Sequence, residues 1–550
     1  MTNQKAQSTR FKVQGSKLKA IAMAAMLMAT GSTANAGGIN TNTNMSVAFA
    51  RLPSRDAAIA TDGVFFNPAG VVFLSPGIHM SVNWQFVTQR RYIDNQYPLF
   101  ANNTENPTTT RRFKGETLAP VFPSIQFAYN WRDFSFQVSA GVTGGGGKCT
   151  FDDGLGSFEK LVSETALAAS GLAKAVDASL AATLEGAGVP ASSIATLAAN
   201  GFSSDNYFGS TGKYSTTSFM RGRQYYYGVS FGVGYKATPN LGVFAGARGV
   251  YASCNYYGYL RNIKVGNMPL YKVLDPTKEG AADIELNADQ SGFGVTPILG
   301  VDYKLGRWNF AAKYEFKTRM RLKNSSVNQF PSIGNLGSNL AAAVVGNLQS
   351  AGMSAAQAQG IAQTALSAPE VTTIMTQLKN KFDEGINEAT GEYEDGKKIA
   401  ADIPAIVTAG VSYNPIDPLR INAGFHYYFD KQATAYKHHE DKLDRGTIEY
   451  SFGGEYDATK WLTVSAGYQR TSYGLTDEYM NDKSFVVSSN SIGGGVMMHV
   501  TKRARVNVAY FHTFYETKKT NTVSESTGAN YQADYTRNNS AFGVSLELDL

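Results

Sequence analysis

From Gly77 to Leu550 the chain alternates apolar and polar residues in one segment after another. Ile78, Met80, Val82, Trp84 and Phe86 share one face, with Ser81, Asn83 and Gln85 opposite. Phe134, Phe136, Val138, Ala140 and Val142 oppose Ser135, Gln137, Ser139 and Thr143. Near the end Phe542, Val544, Leu546 and Leu548 oppose Gly543, Ser545, Glu547 and Asp549. A period of two assigns each set to one face of a sheet. Fourteen such segments start near residues 77, 120, 134, 222, 240, 286, 307, 403, 419, 445, 461, 484, 504 and 534.

The connections alternate in length. Those around Asn130–Asp133, Ala237–Asn240, Lys304–Arg307 and Asp457–Lys460 are short and carry turn residues or charge, while the intervening ones are long. Short turns on one side of a membrane and long loops on the other are what an even-stranded barrel requires; a two-sheet sandwich does not impose that rhythm. The expected fold is therefore all-β: a fourteen-stranded antiparallel transmembrane β-barrel over residues 77–550, apolar set to lipid, small or polar set to the lumen. Closure leaves no unpaired backbone edge in lipid. Trp84, Trp131, Trp308 and Trp461 fall near strand ends or short turns, as an interfacial girdle would.

Two long insertions interrupt the rhythm, 150–220 and 324–402, with Ala-rich stretches at Phe158–Ala199 and Leu336–Phe382. Their composition favours helix. Both fall among the long outer connections, and they form either an apolar surface groove that collects ligand or a self-packed lid.

The first residues change how the charge is read. Lys5, Arg10, Lys12, Lys17 and Lys19 precede an apolar run, Ala20–Ala29, and a small-residue cleavage site, Ala34-Asn35-Ala36. This is a secretory signal pattern over residues 1–36, with a mature start at Gly37. Removing five basic residues and no acidic one lowers the net charge from +6 to about +1. The basic balance then gives no support to a nucleic-acid partner. Export permits a disulfide between Cys149 and Cys254 but does not require one.

Residues 37–76 lie between signal and first strand and have the size of a lumen plug. Ser54 to Ala60 reads as a short helix with Ser54 as its N-cap. Asn67-Pro68-Ala69-Gly70 follows Phe65-Phe66; the proline holds Asn67 out of the helical region, and the small residues permit close packing against a wall. The stretch from Asp56-Ala57-Ala58-Ile59-Ala60 through Phe65-Phe66-Asn67-Pro68-Ala69-Gly70-Val71 resembles the start of the FadL family of outer-membrane transporters for long-chain fatty acids and aromatic hydrocarbons. The resemblance is sharp over 56–71 and coarse over the rest. It implies a monomeric barrel in the bacterial outer membrane, among its lipids and lipopolysaccharide, with no cofactor. It also implies an N-terminal hatch in which Asn67, Pro68 and Ala69 meet a kinked third strand, and a lateral opening through which a hydrophobic ligand leaves. Gly144-Gly145-Gly146-Gly147 lies at the end of the third segment, where it either kinks the strand or begins the outer loop. Two features depart from the family pattern: the first helical insertion follows the third strand rather than the fifth, and the last residue is Leu550 rather than an aromatic.

Lys313, Glu315, Lys317, Arg319 and Arg321 alternate with Tyr314, Phe316 and Met320. On the lumen side, Lys313, Lys317, Arg319 and Arg321 would offer charge-assisted donors to a carboxylate; equally they would form a ladder with acids such as Glu449 and Glu455. Arg420 and His426 are weaker candidates of the same kind. The histidines are scattered and show no metal-ligand spacing, and Gly144–Lys148 lacks the Ser or Thr of a phosphate loop. The expectation is a non-enzymatic, passive transporter of hydrophobic molecules, long-chain fatty acids foremost. The alternatives are a general porin or structural barrel, and a lipid hydrolase built on a Ser–His pair supplied by neighbouring strands.

Overall fold

The computed structural model describes residues 39–550, the side chains of 381–382 and 384–390 excepted; the export signal read at 1–36 and the start at Gly37 lie outside the described residues. Fourteen antiparallel staves close on themselves. They are β1 (Gly77–Gln96), β2 (Thr110–Trp131), β3 (Phe134–Phe151), β4 (Tyr214–Lys236), β5 (Leu241–Val265), β6 (Ile284–Leu305), β7 (Trp308–Glu315, continued by Arg321–Gln329), β8 (Lys398–Ala400, continued by Ile406–Ile416), β9 (Leu419–Tyr428), β10 (Thr447–Asp457), β11 (Leu462–Ser472), β12 (Ser489–His499), β13 (Ala504–Tyr515, continued by Lys518–Val523) and β14 (Asn530–Asp549). β1 pairs with β14 from His79↔Asp549 to Gln96↔Gln532, which seals the barrel.

The period-two pattern has the expected sense. Val82, Trp84, Phe86, Phe134, Phe136, Phe231 and Phe542 point outward and are exposed, while Ser81, Asn83, Gln85, Gln126, Gln137 and Ser139 point inward and are buried. Outward apolar side chains make this wall stable only in a nonpolar medium. All four tryptophans face outward. Several strands are longer than their apolar pattern: β2 begins at Thr110 rather than near 120, and β4 at Tyr214 rather than near 222.

Inward polar residues are buried because residues 39–76 fill the lumen. Here α1 (Val47–Arg51) is capped by Ser46, whose Oγ accepts from the Phe49 N–H at 2.9 Å. α2 (Gly63–Phe66) leads directly into Asn67. The helix expected from Ser54 to Ala60 is absent: this stretch is turns and irregular backbone, and the Ser54 hydroxyl caps nothing. Arg55 and Asp56 are drawn to ion partners on different sides, which overrides local helix propensity.

The outer end is covered. α3 (Gly156–Gly186) and α4 (Ala191–Ala199) follow β3; α5 (Leu336–Ser350), α6 (Ala355–Leu366) and α7 (Pro369–Tyr393) follow β7. α3 is long and apolar enough to span a bilayer. It instead packs on β4, β5, α6 and α7, with its first turns pinned at the outer strand ends. Glu159 takes Arg111 at 2.5 Å and Asn103 at 2.8 Å, Glu164 takes Tyr97 at 2.6 Å, and the Ser157 N–H donates to Asp482 at 2.7 Å. Between these helices runs a narrow apolar cleft of about 100 Å³, lined by residues such as Leu161, Leu172, Ile263, Ile333 and Leu336. Cys149 and Cys254 are both free and buried, on β3 and β5 with β4 between them.

Candidate functional site

The wall has a fault between β2 and β3. Thr117 pairs with Cys149 and Ser124 with Gly141, but residues 118–123 and 142–148 do not pair with each other. Two sequence features cause it. β2 carries Pro120 and Pro123, which lack the N–H a ladder needs. On β3, Gly145 and Gly147 have φ of +78° and +82°, a region closed to most side chains, and the register with β4 slips on both sides of Gly144. The glycine run is thus a kink inside the strand, which continues to Phe151, and not the start of the outer loop.

A cavity of about 610 Å³ occupies the fault. Its lining passes through the wall: Leu118 and Val121 are over 60% exposed on the outside, while Val87, Phe122 and Val142 are buried on the inside. Inward it meets an apolar cluster of Met45, Val47, Phe49, Phe65 and Phe66 from the plug. Phe49 stacks on Phe66 at 5.4 Å. The volume is that of a small-ligand pocket, and the lining is mainly apolar.

The plug meets this fault through its first residues. The Asn42 N–H donates to Thr143 O at 2.9 Å and its side-chain amide to Val142 O at 3.2 Å. Ser124 and Gln126 of β2 both donate to Met45 O, at 2.7 and 2.9 Å. A Cβ on Gly144 would strike Asn40 O and the Tyr226 ring, so glycine there lets plug and wall touch.

Asn67-Pro68-Ala69-Gly70 sits lower. Asn67 donates to Asp302 at 2.6 Å, and its Oδ1 accepts from the Gly70 N–H at 3.2 Å. Asp302 also accepts from Asn309 at 2.7 Å. Pro68 O accepts from Gln137 of β3 at 2.7 Å. Ala69 is fully buried against Phe244 and Ile298. The segment therefore touches β3, but below the kink; the kink itself is met by Asn40 and Asn42, which no motif in the sequence marked.

Ion pairs hold the middle of the plug. Glu455 on β10 faces Arg51 at 2.7 Å and Arg55 at 3.4 Å, with Arg420 at 3.7 Å. Arg55 also pairs with Asp62 at 2.7 Å. His426 lies between plug Asp56 and wall Glu449, 2.8 Å from each. His426 thus ties plug to wall, whereas Arg420 pairs within the wall, with Glu455 and with Asp457 at 2.7 Å.

The basic ladder does not assemble. Lys313 is buried on Glu315, 2.8 Å, and on Phe65 O, 2.8 Å; Glu315 in turn takes Arg248 at 2.6 Å. β7 then breaks at 316–320, and the parity of its side chains reverses. Thr318 and Met320 become the buried residues, and Arg319 and Arg321 turn outward, against the expectation that they line the lumen. Lys317 lies at the break near Asp402, 3.6 Å, which Arg321 also contacts at 2.9 Å. Neither Glu449 nor Glu455 pairs with this run.

Among the described residues there is one Ser–His pair. His512 Nδ1 lies 2.8 Å from Ser540 Oγ on the outward wall. Tyr510 and Phe514 flank the ring, and among the described residues no carboxylate stands behind it. It lacks the third member that would orient a general base.

No protein-family model matches this sequence, and no curated protein matches it. Among solved structures, a FadL homologue of Pseudomonas aeruginosa aligns over 96% of this chain and 100% of its own, with a TM-score of 0.55 and 14% identity. This chain shares that FadL-type fold. The toluene transporter TodX of Pseudomonas putida aligns over 96% of this chain and 98% of its own, at a TM-score of 0.48 and 13% identity. The resemblance read from residues 56–71 and the barrel architecture point the same way.

Proposed function

We propose that this chain is a passive channel of the bacterial outer membrane for hydrophobic molecules, with long-chain fatty acids as the leading substrate class. The observation that carries the reading is the fault between β2 and β3: an apolar passage through the wall, floored by the plug. The FadL-type fold shared with the Pseudomonas aeruginosa FadL homologue agrees with an apolar cargo. The outer cleft among α3, α5 and the β5–β6 connection offers a first apolar contact. The passage then leads sideways into lipid, so an insoluble ligand never crosses an aqueous lumen. Movement is a shift between plug conformations driven by ligand binding, with no energised step.

The test is uptake of radiolabelled oleate and toluene by cells whose only such barrel is this chain, alongside Val142→Asp. A carboxylate in the apolar opening costs several kcal/mol to a passing hydrocarbon chain. Saturable uptake lost in the variant, with the barrel still showing heat-modifiable migration, supports the lateral route. Uptake that the variant leaves intact overturns it and favours a path along the lumen. Oleate and toluene rates separate the two substrate classes.

A further inference from the structure

Just above the fault the outward wall changes character. On β4 the outward residues from Tyr235 to Tyr225 are Val233, Phe231, Val229 and Tyr227; the next two are Arg223 and Arg221. On β3 the outward residue beyond the glycine run is Lys148. Lys148 and Arg223 are direct cross-strand partners. Side chains so placed have Cβ atoms about 5 Å apart, and like charges there repel.

No described residue relieves that repulsion. Among the described residues neither Lys148 nor Arg223 has an ion-pair partner, and Arg223 Nε is buried without a hydrogen bond. The acids nearby are engaged elsewhere. Glu116 is held by Lys114 at 2.6 Å and Arg90 at 3.7 Å, and Asp289 accepts from Asn255 at 3.0 Å. Arg221 adds to the positive side, stacked on Tyr257 at 5.4 Å.

Height matters too. From Tyr235 to Arg223 the strand runs about 40 Å at ~3.3 Å per residue. At a tilt of 35–45° that is about 30 Å along the membrane normal, just beyond an apolar band ~25 Å tall. The basic pair therefore sits at the outer headgroup level, and the apolar lining of the fault, Leu118, Val121, Tyr225 and Tyr227, begins directly below it.

We infer that Lys148 and Arg223 form a binding site for the anionic headgroup of an amphiphile whose hydrocarbon chain lies in the fault between β2 and β3. The inference rests on the fault being an apolar passage. Carboxylate and phosphate satisfy the pair equally, so the headgroup belongs either to a transported acid or to a phosphorylated lipid of the surrounding leaflet.

The experiment compares the purified barrel with Lys148→Gln/Arg223→Gln. Both positions are outward and unpaired, so the double variant keeps its fold, which heat-modifiable migration verifies. Equilibrium binding is measured with oleate at pH 8 and with oleyl alcohol; phosphorylated lipid retained through purification is read by native mass spectrometry. Oleate binding about ten-fold weaker in the variant, with oleyl alcohol unchanged, assigns the site to a carboxylate. Unchanged oleate binding with loss of the retained phosphorylated lipid assigns it to a phosphate. Either result supports an anion site. No change in oleate binding and none in retained lipid overturns it. If wild type binds neither oleate nor oleyl alcohol, it is the passage reading that fails, and lipid retention alone then decides the anion site.

Discussion

Glu455→Gln is the most direct probe of how the plug is held. The wild-type carboxylate is approached by Arg51, Arg55 and Arg420, and its removal affects them unequally. Arg55 keeps Asp62, and Arg420 keeps Asp457 at 2.7 Å. Arg51, only 2% exposed, keeps among the described residues just the Ser465 hydroxyl at 2.7 Å. Breaking a buried pair by deleting one partner costs about 3–5 kcal/mol. The lower end applies, because two of the three cations retain partners and a polar cavity of about 540 Å³ beneath the plug hydrates the site. About 3 kcal/mol is a roughly 150-fold rise in the fraction of barrels with a displaced plug. Single-channel recording in planar bilayers reads this as open probability. Arg51→Met/Glu455→Leu, which removes both charges, should return the channel toward closed, since an apolar pair of similar volume replaces a buried ion pair at little cost. An assembled Glu455→Gln barrel with unchanged open probability would show that packing and neutral hydrogen bonds hold the plug, and would refute the argument.

Two further outcomes are expected. Gly145→Val places a β-branched residue at φ +78°, a strain of about 1–3 kcal/mol that the kink relieves by straightening; oleate uptake should fall several-fold in an assembled barrel, and unchanged uptake would mean the kink geometry is not needed. In the outer lid, burial raises the Glu392 carboxyl on α7 to about 8. A raised folded value means its stability is fully present below about 4.5 and is lost as pH rises through about 8. Lys483, lowered by burial to about 7, acts oppositely but only above that value. Limited proteolysis of the lid should therefore quicken from pH 5 to 7, and Glu392→Gln should flatten that slope.

The staves were legible wherever each face of a strand meets one environment throughout, as in Phe134–Val142 and Phe542–Leu548. They faded where the strand rises past lipid. Arg112, Lys114 and Glu116 on β2, and Arg221 and Arg223 on β4, continue the ladder, but with polar residues outward the alternation disappears from the sequence. That is why β2 and β4 exceed their expected starts. The side chains of Arg319 and Arg321 were misplaced for a different reason. Their alternation is real, but the break at 316–320 shifts it by one residue, and a one-residue slip exchanges the faces. The plug was the least legible part. Its turns are set by Glu455, His426 and Asp302, hundreds of positions away, so the cap read at Ser54 is absent and the helix cap is instead Ser46.

The two ways the plug is held bear on which part of it moves. Four hydrogen bonds fix residues 42–45 to β2 and β3 at the fault, all from neutral donors to backbone carbonyls. At about 0.5–1.5 kcal/mol net each, they represent roughly 2–6 kcal/mol. Residues 51–62 are fixed instead by buried charges shared with β9 and β10, where one uncompensated partner already costs about 3–5 kcal/mol. A ligand shifts an equilibrium only by the difference in its affinity for the two states. A ligand bound at about 1 μM has ~8 kcal/mol in all, enough to displace the first segment but not to extract the clamped one as well. Under the proposed route, then, residues 39–45 peel away from the kink while Arg51 to Asp62 and Asn67 to Gly70 stay seated. The passage that opens joins the lumen pocket to lipid, and the aqueous path to the far side remains closed.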